Sequence, residues 1–211
     1  MAEVNPGRIA EAALALVDAD GLDALSMRRL ATELGVQAPS LYHHVASKDQ
    51  LLDAVVERVG AGADASWFGV RSWDEALLRW GRTYHGALAE HPALAPLFVR
   101  SPGRSDAALQ RVDAVHGGLV GAGWSHREAT EIAAAVKFLV MGAASGSVTA
   151  GFSDDPAVYA GRYPNLASAH RLPGTGGSVD DDTVELALTA LVDGLRLRLA
   201  ARRAVLRRGS G

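Results

Sequence analysis

The sequence predicts an all-α fold, and three features carry that prediction. Apolar residues recur at the three-and-four spacing of an amphipathic helix along most of the chain. Helix-start signals punctuate it at intervals. Period-two alternation of β-branched and aromatic residues never survives beyond a few positions, and no Asn-Gly hairpin turn occurs.

The first helix follows Asn5-Pro6, a capping side chain and then a proline where its missing N–H costs nothing. Ile9, Ala13, Leu16 and Val17 form its apolar face, which stops before Gly21. Further starts are read from capping boxes, in which a serine and a side chain three residues on satisfy each other's backbone donors. Ser47/Gln50, Ser72/Glu75 and Ser125/Glu128 fit this pattern, and Ser178/Asp181 is a looser aspartate version. Helices are therefore expected at about 6–20, 26–34, 38–44, 48–64, 72–90, 103–121, 126–150 and 179–206, with short turns around Pro92 to Phe98 and 155–162. Gly151 to Gly177, rich in Gly, Pro, Ser and Asp, is the one long irregular connection.

With 211 residues and 48% hydrophobic content the chain can bury a real core. No cysteine is present, which excludes disulfides and thiolate metal sites and fits a reducing compartment. No apolar run approaches the roughly 20 residues of a membrane span, and the N-terminal stretch lacks a signal-peptide pattern, so a cytoplasmic protein without a membrane partner is expected. The net charge of -3 argues against loose binding to nucleic acid, and residues 1–60 hold five bases against nine acids.

The stretch “SMRRLATELGVQAPSLYHHVASKDQLL” points the other way. Leu30, Ala31 and Leu34 share one face of a short helix, Gly35 permits a turn, and Val36, Leu41 and Val45 can close over that face. This is a helix-turn-helix pattern. Its second helix opens on Pro39 and exposes Gln37, Ser40, Tyr42, His43 and His44, where such motifs enter the major groove. Gln can pair with adenine, the hydroxyls of Ser40 and Tyr42 suit phosphates or base edges, and His can donate to phosphate. Lys48, at the next helix start, and Arg28, at the preceding one, are placed for phosphate. Packing alone could also generate L-A-x-x-L-G-V, and Tyr42 could be half-buried packing. A metal pair at His43-His44 is disfavoured, because adjacent helical residues point about 100° apart.

“LATELGVQAPSLYHHVASKDQLLDAV”, with the helix before it, resembles the N-terminal domain of TetR-family transcriptional regulators, on the branch near the tetracycline repressor. The likeness covers about residues 8 to 58 and continues more weakly through “SWDEALLRWGRTYHGALAEHP”, “GAGWSHREATEIAAAVKFLVMG” and “LVDGL”. It implies an all-helical dimer with a three-helix DNA-binding head (1–47), a connecting helix (48–64) and a ligand-binding and dimerisation body (65–211). Arg28, Pro39, Tyr42, His44 and Lys48 stand at positions that contact DNA in that branch, and Ser40 replaces a similar threonine. A base-reading glutamine of the branch is replaced by Ala38, with Gln37 displaced by one position. That shift turns the side chain by about 100°, so a different operator sequence is expected.

In the body, Trp80, Tyr84, Phe98, Val115, Phe138 and Met141 are candidates to line a largely apolar cavity, with His85, Ser101 and His116 as its polar groups. Each aromatic or methionine could equally be ordinary core. Tetracycline-binding members hold the drug's magnesium through a histidine whose place is taken here by Phe98, so tetracycline-magnesium recognition is not expected. Helices 126–150 and 179–206 carry more apolar surface than one stripe requires, which points to a homodimer through a four-helix bundle. The expected partners are thus a double-stranded DNA operator, a small-molecule inducer and a second copy of the chain. No nucleophile elbow, phosphate-cradling glycine pattern, H-E-x-x-H motif or paired carboxylates occur, so neither an enzyme nor a cofactor is expected. The competing function is a helical ligand-binding or interaction module whose head does not read DNA.

Overall fold

The computed structural model describes residues 5–100, 105–175 and 177–209, and every regular element among them is helical. Nine α-helices occur in these residues: α1 (Pro6–Asp20), α2 (Met27–Leu34), α3 (Ala38–Tyr42), α4 (Lys48–Gly60), α5 (Trp73–Ala89), α6 (Ala95–Arg100), α7 (Asp106–Gly121), α8 (His126–Ala144) and α9 (Ser178–Gly209). Short 3₁₀ turns fill several of the connections. None of the described helices is long and apolar enough to cross a membrane.

The helix starts follow from local chemistry, with some exchanges of partner. The Asn5 side chain accepts a hydrogen bond from the Arg8 N–H at 3.0 Å, and Pro6 opens α1. Ser125 and Glu128 form a complete reciprocal capping box. At α4, Ser47 accepts from the Gln50 N–H at 3.1 Å, but the Gln50 side chain accepts from the Ala46 N–H rather than from that of Ser47. Ser72 makes no capping bond, because Glu75 is drawn one turn forward to Arg79 at 3.0 Å. Ser178 is the first residue of α9 rather than its cap, and its hydroxyl donates to the Thr175 carbonyl. A cap absent from the sequence expectations, Ser105, accepts from the Ala108 N–H at 2.9 Å and starts α7.

Three expected boundaries are corrected. Helix α4 stops at Gly60 instead of residue 64; an added Cβ at Gly62 would lie 2.8 Å from Ala87 Cβ, so the chain passes α5 too closely for a larger residue there. Helix α8 ends at Ala144 instead of 150, where the run of glycine and serine that follows favours turns. The turn expected around Pro92 to Phe98 is a 3₁₀ turn, Pro92–Leu94, leading into α6. The connection from Gly151 to Gly177 also has structure of its own. Tyr159 and Ala169 are buried, and the Ser153 N–H donates to the Tyr159 hydroxyl at 2.8 Å.

One apolar core runs from the head into the body. Leu30, Ala31, Leu41 and Val45 close the head over Ile9, Ala13 and Val17 of α1, while Leu51, Val55 and Val59 carry the packing along α4. Helix α5 lies against α8 and α9, where Leu77, Val136 and Leu188 are fully buried. Arg196 pairs with Asp74 at 2.7 Å, Arg202 with Glu128 at 2.6 Å, and Arg82 with Glu185, tying α9 to α5 and α8. The head meets the body at two polar contacts besides α4. His91, just before the 3₁₀ turn, faces Asp18 of α1 at 2.8 Å, and Arg58 of α4 faces Glu11 at 3.4 Å.

Candidate DNA-binding head and ligand cavity

Helix α2 ends because Gly35 adopts φ +68°, a left-handed conformation that lets the Val36 N–H return to the Ala31 carbonyl at 3.0 Å. The chain then turns directly into α3, whose Leu41 is fully buried beneath it. This anchoring leaves the other side of the short helix to solvent. Gln37, Pro39, Tyr42, His43 and His44 are exposed and Ser40 is half-buried. Tyr42, at 52% exposure, is not packed into the core. Arg28 and Lys48 flank this surface, both exposed and without an ion-pair partner among the described residues, whereas neighbouring Arg29 is paired with Asp20. The helix-turn-helix candidates thus form one polar face with two free cations at its borders. The amino end of α4 adds backbone donors and a positive dipole beside Lys48.

A second candidate site lies in the body. A cavity of about 300 Å³ is enclosed by α4, α5, α6, α7 and α8. Its walls are Val56, Glu57 and Gly60 from α4, Trp80 and Tyr84 from α5, Phe98 from α6, Ala108 to His116 at intervals along α7, and Thr130, Ala133, Ala134 and Lys137 from α8. The aromatic wall is continuous: Trp80 and Tyr84 centroids are 5.7 Å apart, and those of Tyr84 and Phe98 6.2 Å apart. Burial pushes the Tyr84 phenol up to about 12, so it remains a neutral donor across the ordinary pH range. Glu57 receives Arg111 at 2.8 Å and the hydroxyl of Ser105, which ties α4 to the start of α7 across the cavity rim. His116 Nδ1 donates to the Val112 carbonyl at 2.8 Å, and Nε2 lies 3.2 Å from Thr130 Oγ1.

Of the residues expected to line a cavity, Trp80, Tyr84, Phe98, Val115 and His116 meet here. Three others do not. Phe138 follows Lys137 by one residue and therefore points about 100° away, to the outside, at 69% exposure. His85 is turned off the wall in the same way by its place next to Tyr84 and is half-buried. Met141 lies one turn beyond Lys137, buried in the core outside the lining. Ser101 lies outside the described residues. The contribution of α4 was missed, as were Arg111, Thr130 and Lys137. Lys137 left a legible signal, a lone charge within the apolar run “EIAAAVKFLVMG”.

Residues 9–55 match the family of bacterial regulatory proteins named tetR, and residues 69–199 match the tetracyclin repressor-like C-terminal domain. The chain belongs to the TetR family. TetR proteins are transcriptional regulators and not enzymes, so the exposed face of α3 is the helix-turn-helix of a DNA-binding protein. Among TetR relatives, the class A tetracycline repressor of transposon 1721 from Escherichia coli is 31% identical over 224 residues, covering 100% of this chain and 97% of that one. An HTH-type transcriptional regulator of Saccharopolyspora erythraea is 33% identical over 138 residues; the match takes in 65% of this chain and spans only 58% of that relative's length. Among solved TetR structures, Streptomyces coelicolor ActR in complex with (S)-DNPA superposes with a TM-score of 0.74 at 29% identity, covering 93% of this chain and 99% of that one.

Proposed function

We propose that the protein is a repressor that binds a near-palindromic operator as a homodimer and releases it when a largely apolar small molecule fills the cavity. One observation carries this reading: α4 begins at Lys48 beside the recognition surface and supplies Val56, Glu57 and Gly60 to the cavity wall. A ligand that pushes on that wall acts on a rigid rod whose other end sets the position of the head. Ligand need only bind the conformation that does not fit DNA more tightly, and a difference of about 5.5 kcal/mol moves such an equilibrium from 1:99 to 99:1. The relatives support both halves of the scheme, one being a tetracycline repressor and another a regulator crystallised with a small molecule.

In this scheme Arg28 and Lys48 bind phosphate, Gln37, Ser40, Tyr42, His43 and His44 read or flank bases, and Pro39 starts the reading helix. The division into a head of residues 1–47, a connecting helix of 48–64 and a body of 65–211 goes with it. The inducer is not a tetracycline-magnesium chelate. Phe98, an apolar ring in the cavity wall, offers no lone pair to a metal at the place where tetracycline-binding members carry a histidine. The second copy packs on the outer faces of α8 and α9, where Phe138, Leu186 and Leu197 are exposed. Selection of bound fragments from random duplex DNA, at two salt concentrations, tests the proposal. A palindromic motif with strongly salt-dependent affinity is expected. No enrichment by folded protein would favour the competing function, a ligand-binding module with a silent head.

A further inference from the structure

Lys137 is the unusual side chain of the cavity. Helix α8 presents Thr130, Ala133, Ala134 and Lys137 along one face, three small residues and then a cation, as the three-and-four spacing requires. The other charges there are already matched, since Arg111 is held by Glu57 at 2.8 Å. His116 is held between the Val112 carbonyl and Thr130. Lys137 has no hydrogen bond or ion pair with any of the described residues. Its ammonium is half-buried beside apolar walls, where an unmatched charge is costly, and that burial holds its pKa below the ordinary lysine value. On the α5 wall, the Tyr84 hydroxyl likewise has no hydrogen-bond partner among the described residues, although the side chain is more than nine-tenths buried.

We infer that the cavity selects apolar, ring-bearing ligands that carry an acidic group, and that Lys137 receives this group. The inference rests on the cavity being the inducer site. The aromatic wall of Trp80, Tyr84 and Phe98 takes the rings, while a carboxylate, sulfonate or ionised phenol restores the counter-charge that the protein leaves out. The alternative is a lysine whose stem packs on the wall while its head reaches water. In that case no preference for an anion follows.

A matched pair of fluorescent probes separates these cases. 1-Anilinonaphthalene-8-sulfonate and N-phenyl-1-naphthylamine share their rings and differ in the sulfonate. Titrations would use the full-length protein, Lys137→Met, and Ala134→Trp, which fills the cavity from α8. Lys137→Met is expected to weaken the sulfonate by about tenfold or more, the worth of a charge-assisted hydrogen bond, and to leave the neutral probe within about twofold. Ala134→Trp is expected to expel both. If Ala134→Trp expels both but Lys137→Met treats the two probes alike, the acidic preference is wrong and the cavity reading survives. If neither probe binds, or Ala134→Trp expels neither, the cavity reading fails and the inference fails with it. Thermal unfolding checks each variant, and Lys137→Gln gives the same comparison should methionine disturb folding.

Discussion

Lys48 and Gln37 sit a few residues apart on the same exposed surface, yet their losses have different signatures. Lys48 is an unpaired cation at a helix start, suited to phosphate, which carries no sequence information. Lys48→Ala should weaken binding to every operator variant alike and, with two heads per dimer, reduce the slope of log affinity against log salt by about 2. Gln37→Ala should leave that slope unchanged and lower discrimination at one position of each half-site by about 1–3 kcal/mol. Fluorescence anisotropy with a small operator panel at several salt concentrations checks both; equal losses of slope for the two variants would show that Gln37 is only another backbone contact. These residues were legible because their setting is local. Gly35, Pro39 and the buried Leu41 lie within a single turn and fix which side chains stay outside. Phe138 was misread because composition marks a large apolar residue for burial, while its direction depends on the phase of α8.

At the scale of elements, the start of α8 shows how a cap couples to tertiary structure. Hydrogen bonds from the Ser125 hydroxyl and backbone N–H, and then from Arg202 of α9, hold the Glu128 carboxyl down to about 2. A carboxyl depressed on folding stabilises the native state above its unfolded pKa, and that contribution is lost as pH falls through the folded value. Ser125→Ala should therefore cost about 1 kcal/mol at neutral pH. The gap between wild type and Glu128→Gln should close as pH falls from about 4.5 toward 2. Urea unfolding across that window checks this, and a pH-independent gap would mean that the box contributes only shape. Ser125/Glu128 was readable three residues apart, but Arg202 was not, because only the packing of α9 brings it there. Gly118 makes the same point. An added Cβ there would lie 2.5 Å from the Phe68 ring, an approach no local pattern announces.

The whole molecule puts the two candidate sites at opposite ends of α4, and helical periodicity could not reveal this because it records which face is buried and not against what. The same periodicity does locate a surface still lacking a partner. On α9, Val184, Leu188, Val192, Leu195 and Leu199 are buried against the body. Leu186 and Leu197 fall on the opposite side, at 71% and 74% exposure; eleven residues apart, they share an azimuth to within about 20°. Phe138 adds an aromatic ring on neighbouring α8. A twofold axis through this surface would present every residue twice, so each substitution removes two contacts from the interface. Two heads held one helical turn apart, about 34 Å, are also what would let an acidic head bind DNA tightly, since phosphate contacts double. Phe138→Asp combined with Leu197→Asp should produce a folded monomer by analytical ultracentrifugation. Operator affinity should fall by at least about 2 kcal/mol, roughly thirtyfold, because desolvated interface anchors are worth that much. A double variant that remains dimeric and keeps its operator affinity would place the interface elsewhere. A monomer that binds operator undiminished would remove dimerisation from the account of DNA recognition.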